Sequence, residues 1–258
     1  MKIVVCFKGV PAAKHVALDP VTHNLQREHT TSEMDPDDRY GMRIALQLRQ
    51  ALPSTTIVAL TMGAPHSQIV LQQALAMGAD QAILLSDRAF AGADTLATSY
   101  TLAQAIRKIA NVDLVITGYS SHDADTGQVG PDLAAQLHWQ QATNVTALTY
   151  HDLMWQITQQ RNNTLQQLQT DEHLVVTVQR QTTLKPAQMS MTGIHKAVQT
   201  PITIWNTTVL HCDLQRVGQA GSATRVTKLI TPELPMHHAQ TLHTATDFLQ
   251  IIKKNKGK

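Results

Sequence analysis

The feature that most constrains this chain is an alternation running through its first half. Short, almost continuous apolar runs at residues 3–7 (IVVCF), 57–60 (IVAL), 82–85 (AILL) and 114–117 (LVIT) are each followed by a stretch of helical periodicity. A run that is apolar at successive positions suits a strand covered on both faces. Strands alternating with helices predict an α/β fold, with an open, mostly parallel sheet carrying helices on both faces. Local signals mark the helices. Asp35 can cap the first, with Pro36 at its opening position and Asp37 and Asp38 at the positive end of the dipole. Tyr40, Ile44, Leu48 and Ala51 then share one face. The second helix spans residues 68–77, with Gly78 as its C-cap. Asp94 or Thr95 caps a third, with Leu96, Tyr100, Ala103 and Ile106 facing inward, and a fourth covers about residues 127–137.

Between the first strand and the first helix, residues 11–33 read as a loop or small hairpin. The rhythm changes after Trp139. Residues 154–160 and 164–170 flank Asn162-Asn163 as a β-hairpin excursion, and strands follow at 174–178 and 202–204. From residue 207 no rhythm returns until 242–252. A tail that cannot fill a core of its own points to an arm that wraps a partner. The expected division is therefore an α/β domain at 1–206 and a C-terminal arm at 207–258. A formal net charge of +2 gives no field that draws the chain to nucleic acid. No apolar stretch of spanning length and no leader pattern is seen, so the expectation is a cytoplasmic chain without membrane insertion. Cys6 and Cys212 make no CxxC spacing and no disulfide framework. His237, His238 and His243 lack the further ligands that a closed metal site needs, so no metal is expected.

In an open α/β sheet, ligands bind outside the carboxyl ends of the strands. The segments that follow strands include Gly9-Val10-Pro11, Thr61-Met62-Gly63, residues 86–94 and residues 118–130. The strongest local signal is DADTGQVGP at 123–131, which leaves a strand and opens a helix. Its glycines allow close backbone approach, and free N–H groups at a helix start bind phosphate. Thr126 can cap that helix or bond a phosphate oxygen; the segment reads equally as an ordinary capped turn. The long loop at 86–95 (SDRAFAGADT) offers Arg88 and Gly92 to a ligand, or is simply exposed. There is no Walker loop, GxSxG elbow or HExxH, and the His122-Asp123 pair has no assignable nucleophile. The chemistry is binding rather than hydrolysis, and no catalytic residue is assigned.

Five pieces, KIVVCFKGVP (2–11), ALTMG (59–63), ALAMGAD (74–80), AFAGADTLATSY (89–100) and DTGQVGP (125–131), resemble the beta (small) subunit of electron-transfer flavoproteins in order and spacing. The similarity covers residues 1 to about 206. It implies an adenine-nucleotide-hydrolase-like domain paired with an alpha (large) subunit that holds FAD. The pair passes electrons between a donor, a dehydrogenase or NADH, and its acceptors. The beta subunit's own site takes AMP in one branch and a second FAD in the electron-bifurcating branch. Carried over position by position, nucleotide contacts fall at Gly9, Asp35, Pro36, Asp37, Asp38, Met62, Asp123, Thr126, Gly127, Gln128 and Val129. AFAGADTLAT is closer to the bifurcating branch, which implies FAD rather than the alternative AMP, with Gly92, Asp94, Thr95 and Thr98 defining the flavin site.

One stretch departs from the family. An Asn-Glu-Pro-Arg-Tyr loop and a Lys-rich helix usually engage a dehydrogenase or other redox partner. Here LKPAQMSMTGIHKA (184–197) keeps Pro186, Gly193, Ile194, Lys196 and Ala197 but has no Arg-Tyr pair. Val198-Gln199-Thr200 stands in place of the lysines. Met191 occupies the position of an apolar docking side chain; Met189 and Met191 read equally as core. Two other classes share the broad fold. A stand-alone adenine-nucleotide sensor of the universal-stress type has no use for a partner-wrapping arm. An adenylate-forming enzyme would carry SGGxDS, HIGH and KMSKS signatures, which are missing.

Overall fold

A computed structural model describes residues 1–11, 32–180, 184–225, 244–246 and 248–249. In chain order the elements are β1 (Lys2–Cys6), β2 (Gly9–Pro11), β3 (Ser32–Met34), α1 (Asp38–Ala51), β4 (Thr56–Met62), α2 (Gln68–Met77), β5 (Gln81–Leu85), α3 (Thr95–Ile109), β6 (Leu114–Gly118) and α4 (Val129–Leu137). Then come β7 (Gln140–Ala142), β8 (Val145–His151), β9 (Met154–Arg161), β10 (Thr164–Thr170), β11 (Leu174–Val178), α5 (Met191–Gln199) and β12 (Ile202–Trp205).

Seven strands form one sheet in the order β12-β5-β4-β1-β6-β11-β7, and every neighbouring pair is parallel. The fold is the expected α/β arrangement with both faces covered. Ile3 and Val5 point to the face packed by α1 and α2. Val4 and Cys6 point to the face packed by α3 and α4. This double burial is why the strand sequences show no polar alternation. Burial, reinforced by the charge of Asp38, pushes the Cys6 thiol far above its usual range, so it is an inert core side chain. The 154–170 hairpin is present and gains a third strand, giving the antiparallel order β10-β9-β8. The residues bracketing the 11–33 stretch, β2 and β3, pair antiparallel; 12–31 lie outside the described residues.

Several local expectations shift. Pro36 and Asp37 form a turn, and α1 starts at Asp38. Asp35 caps that turn by accepting the Asp37 N–H at 3.1 Å. Ala51 ends α1 in solvent. On α3, Leu96 is 42% exposed, and Ala97, one position on, takes the inward place beside Tyr100 and Ala103. The small side chain lets the helix start close to the sheet. Gly127, at φ +62°, holds the chain out of helix, so α4 begins at Val129.

The compact unit runs from Met1 to Arg225. Residues 207–225 are packed into it. Leu210 and Val217 are buried in the α3 and α4 core, and Asp213 donates its N–H to the Tyr100 hydroxyl at 3.0 Å. Arg216 lies over the Tyr100 ring at 4.1 Å. The remainder of the expected arm, with His237, His238 and His243, lies almost wholly outside the described residues.

Two carboxylates pin the segment. Asp87 accepts from the N–H and hydroxyl of Thr207 at 3.0 and 2.6 Å, and those bonds hold its carboxyl below the usual range. Burial pushes Asp94 upward, but hydrogen bonds from Ala97, Thr224 and Ala223 outweigh it and leave a net lowering. Folded values below unfolded ones mean that this support is complete above the ordinary carboxylate range. It is lost as pH falls through the folded values. Hydrogen exchange, corrected for intrinsic rates, should show residues 207–224 losing protection on acidification before β1 and β6 do. Simultaneous loss would contradict this assignment.

Candidate crevice at the sheet switch point

Two of the sheet's crossovers step outward from β1 to β4 and β5, and the next returns to β6 on the other side of β1. The carboxyl ends of β1 and β6 therefore diverge at a topological switch point, where such sheets bind ligands. One wall is a bracket of three buried acids at the start of α1, Asp35, Asp37 and Asp38. Asp38 accepts the Lys8 N–H at 2.6 Å and also that of Gly118. Asp35 accepts the His122 N–H at 2.8 Å and lies 3.1 Å from the His122 Nδ1. Asp37 accepts the Arg180 N–H at 3.2 Å. The bracket thus ties together the ends of β1, β6 and β11. Burial first, and Asp35's charge with it, raises the carboxyls of Asp37 and Asp38, the latter well above the usual range. Gly118 is required here, since a Cβ would fall 2.6 Å from Asp38 Oδ1.

The other wall is the turn at 121–128. Lys8 Nζ donates to Ser121 Oγ at 2.9 Å and to Asp123 Oδ1 at 2.6 Å. Burial pushes the Asp123 carboxyl up, but the Lys8 contact and Ser121 outweigh it. Asp125, at φ +47°, and Gly127 turn the chain so that α4 starts at the crevice. The N–H groups of Thr126, Gly127 and Gln128 donate to no acceptor among the described residues, and the first turn of α4 adds its own free donors. Thr95 Oγ1 donates to Gln128 Oε1 at 3.0 Å, so the start of α3 closes the same side. Close packing fixes the cradle from behind, because a Cβ on Gly130 would fall 2.3 Å from Thr177 Cγ2.

A cavity of about 540 Å³ lies elsewhere, beside the amino ends of β1, β6 and β11, lined by Met1, Asp113, Trp139, Tyr150, Trp155 and His173 among others. It is at the wrong end of the strands for a switch-point ligand.

The profile of the "Electron transfer flavoprotein domain" matches residues 23–210. The chain is 38% identical over 232 residues to "Caffeyl-CoA reductase-Etf complex subunit CarD" of Acetobacterium woodii, covering 90% of this chain and 88% of that one. It is 36% identical over 234 residues to "Electron transfer flavoprotein subunit beta" of Clostridium acetobutylicum, with 91% and 89% covered. "Protein FixA" of Azotobacter vinelandii is 33% identical over 251 residues, with 95% and 89% covered. The chain belongs to the electron-transfer flavoprotein family, as a beta subunit.

In this beta subunit the structure gathers Asp35, Pro36, Asp37, Asp38, Asp123, Thr126, Gly127, Gln128 and Val129 around the switch point. The acids of α1 spend their hydrogen bonds on the protein itself, so they shape the crevice. Gly9 pairs with Met34 in the β2–β3 ladder, and Met62 is half-buried against the α3 and α4 core. Thr98 is half-buried one turn along α3 from Thr95. Asp94 is occupied by Ala97 at 3.1 Å and by Thr224 at 2.9 and 3.1 Å. Gly92, at φ +71°, backs onto Gln219, which a Cβ would approach to 3.3 Å. The 86–95 loop is therefore set between the crevice and the 207–224 segment. Lys8, Ser121, Gly118, Arg180 and Thr177 were not singled out as site residues from the sequence. Gly118 and Ser121 fall in the 118–130 segment that follows a strand, and Lys8 lies two residues past β1; Arg180 and Thr177 carry no such signal.

α5 packs beside α2 and buries only Ala197. Met191 is 83% exposed and Val198 81%, with Ile194 between them on the same stripe. Met189 is exposed as well, so neither methionine belongs to the core. Among the described residues no helix is long and apolar enough to cross a membrane.

Proposed function

We propose that the switch-point crevice holds FAD, that an alpha subunit carrying a further FAD closes over it, and that the assembly works in the cytoplasm. The observation that carries this reading is the set of N–H groups at 126–128 that meet no acceptor among the described residues. They fit a pyrophosphate, because aligned donors at a helix start stabilise anionic oxygens. The cradle residues Asp123, Thr126 and Gln128 are exposed, whereas bound cofactors are mostly enclosed. A second subunit supplies the missing wall. When bound, FAD would supply hydride acceptance from NADH and release of single electrons. The chain's own part is to hold the phosphates on its amides, to keep Thr95 and Gln128 against the cofactor, and to exclude water.

The name of the Acetobacterium relative describes a subunit of a reductase complex, which supports a redox assembly larger than a heterodimer. We read the Met191 stripe as the dock for that redox partner. Met191→Asp should lower electron transfer with the cognate dehydrogenase by about tenfold, since a charge inside an apolar contact costs on the order of 1–3 kcal/mol. Flavin content should not change, and full activity would remove the dock. The cofactor assignment is tested by Thr95→Trp in the co-purified complex. Flavin retention should fall at least about tenfold, the size of effect that 1.4 kcal/mol produces. Undiminished flavin would refute the assignment.

A further inference from the structure

The loop between β5 and α3 brings Thr95 to the crevice, yet its last part is fixed from outside the sheet. A short 3-10 turn at Arg88–Phe90 bonds to itself and buries Phe90. Beyond it, from the Ala91 carbonyl to the Asp94 N–H, every hydrogen bond among the described residues comes from the 207–224 segment. Gln219 donates its N–H to the Ala91 carbonyl at 3.0 Å. Ser222 Oγ accepts the Asp94 N–H at 2.9 Å. The same hydroxyl lies 3.2 Å from the Gly92 carbonyl and 2.8 Å from that of Gly218. It has one O–H, which serves one carbonyl at a time, while its lone pairs face Asp94. Gly218, at φ +53°, permits this approach, since a Cβ there would fall 2.0 Å from the Ala89 carbonyl oxygen.

The contact reaches the crevice in two steps. Asp94 is the N-cap of α3 and accepts the Ala97 N–H at 3.1 Å, and Thr95 is the first residue of that helix. Thr95 Oγ1 donates to Gln128 Oε1 at 3.0 Å, and the Gln128 N–H is one of the three cradle donors. Farther along, Arg216 lies 4.1 Å over the Tyr100 ring of α3 and donates to Gln136 Oε1 of α4 at 3.2 Å. One segment therefore spans both helices whose starts face the crevice. We infer, on the reading that the crevice holds FAD, that Ser222 is a positioning residue for that cofactor. It fixes the start of α3 through Asp94 and so holds Thr95 against Gln128 and the bound nucleotide. Binding groups keep their geometry only when a supporting layer of hydrogen bonds locks them, and Ser222 supplies that layer here. The coupling is reciprocal: what FAD gains from an ordered α3 start, the 207–224 segment gains from FAD.

The test uses the complex co-purified with its large subunit and follows FAD release from each site. Thr95→Trp identifies the crevice flavin as the one it removes. Ser222→Ala should release that flavin about three- to tenfold faster, the scale on which one lost hydrogen bond is felt. The large subunit's flavin should leave at an unchanged rate. Ser222→Thr keeps the oxygen and should restore slow release. Leu210→Ala controls for lost stability, because it opens a cavity in the α3 and α4 core and leaves the Ser222 contacts in place. It should lower Tm more than Ser222→Ala does and change release less. Hydrogen exchange gives the reciprocal readout: loading FAD should slow the Asp94 and Gln219 amides in the parent and not in Ser222→Ala.

Parent-rate release from Ser222→Ala, where Thr95→Trp does remove a flavin, would overturn the role of Ser222 and leave the FAD site standing. Release from Ser222→Thr as fast as from Ser222→Ala would overturn it too. So would release that follows Tm alone across the two alanine variants, or equal protection by FAD in parent and Ser222→Ala. Undiminished flavin in Thr95→Trp would instead refute the crevice assignment, and the role of Ser222 with it.

Discussion

Gly130→Val should strip the complex of its beta-subunit cofactor and lower the stability of the chain by about 1–3 kcal/mol, the usual cost of overpacking a filled interior. Gly130 is buried at the first turn of α4, where a Cβ would stand 2.3 Å from Thr177 Cγ2 and 3.0 Å from Thr117 Oγ1. Both threonines are buried on adjacent strands of the sheet and cannot swing aside. The helix start must move instead, and with it the N–H groups of residues 126–128 that face the crevice. Donors displaced by about 1 Å no longer meet the phosphate oxygens, and charge-assisted hydrogen bonds contribute about 1.5–3 kcal/mol each. A chemical-denaturation midpoint and a flavin assay on one preparation separate the two effects. A variant that keeps its flavin despite a lowered midpoint would remove the cradle from the account.

Asp38→Ala should cost about 2–6 kcal/mol, because it leaves the part-buried N–H groups of Lys8 and Gly118 without an acceptor at about 1–3 kcal/mol apiece. The conservative change is more informative. The folded Asp38 carboxyl titrates well above its unfolded value, because burial outweighs the two hydrogen bonds it accepts. The folded state therefore binds more protons than the unfolded state in that interval. Stability from this group is complete below about pH 4 and declines as pH rises toward the folded value. Asp37 is shifted in the same direction. Asp38→Asn should flatten the decline of Tm with rising pH and leave a smaller slope from Asp37. An unaltered slope would mean that Asp38 does not hold its proton in the folded state.

The parts of this molecule legible in its sequence are those set by local chemistry. The strands of the parallel sheet could be read because both faces are buried, which forces an apolar residue at each position of IVVCF and AILL. The 123–131 turn could be read because backbone geometry there needs glycine. Other features depend on which residues meet in space. Asp35, Asp37 and Asp38 look like ligand contacts or dipole partners in a linear reading; the acceptors they supply go to Lys8, Gly118, His122 and Arg180, from elsewhere in the chain. Leu96 and Ala97 are one residue apart, and one residue turns a helix by about 100°, enough to exchange core for solvent. β8 alternates burial in VTALTYH without a continuous apolar run, so it carries a weaker signal than β1. Residues 207–225 have no periodicity, yet they pack on α3 through a few anchors such as Leu210, Val217 and Asp213.

The central claim is that the crevice beside Thr126, Gly127 and Gln128 holds a flavin. The most direct measurement is a cofactor count on the co-purified heterodimer: release the nucleotides by denaturation, separate them and quantify FAD and AMP against protein. Two FAD per heterodimer and no AMP are expected, with one FAD lost in Gly130→Val. One FAD with one AMP, and no change in flavin for the variant, would contradict the claim.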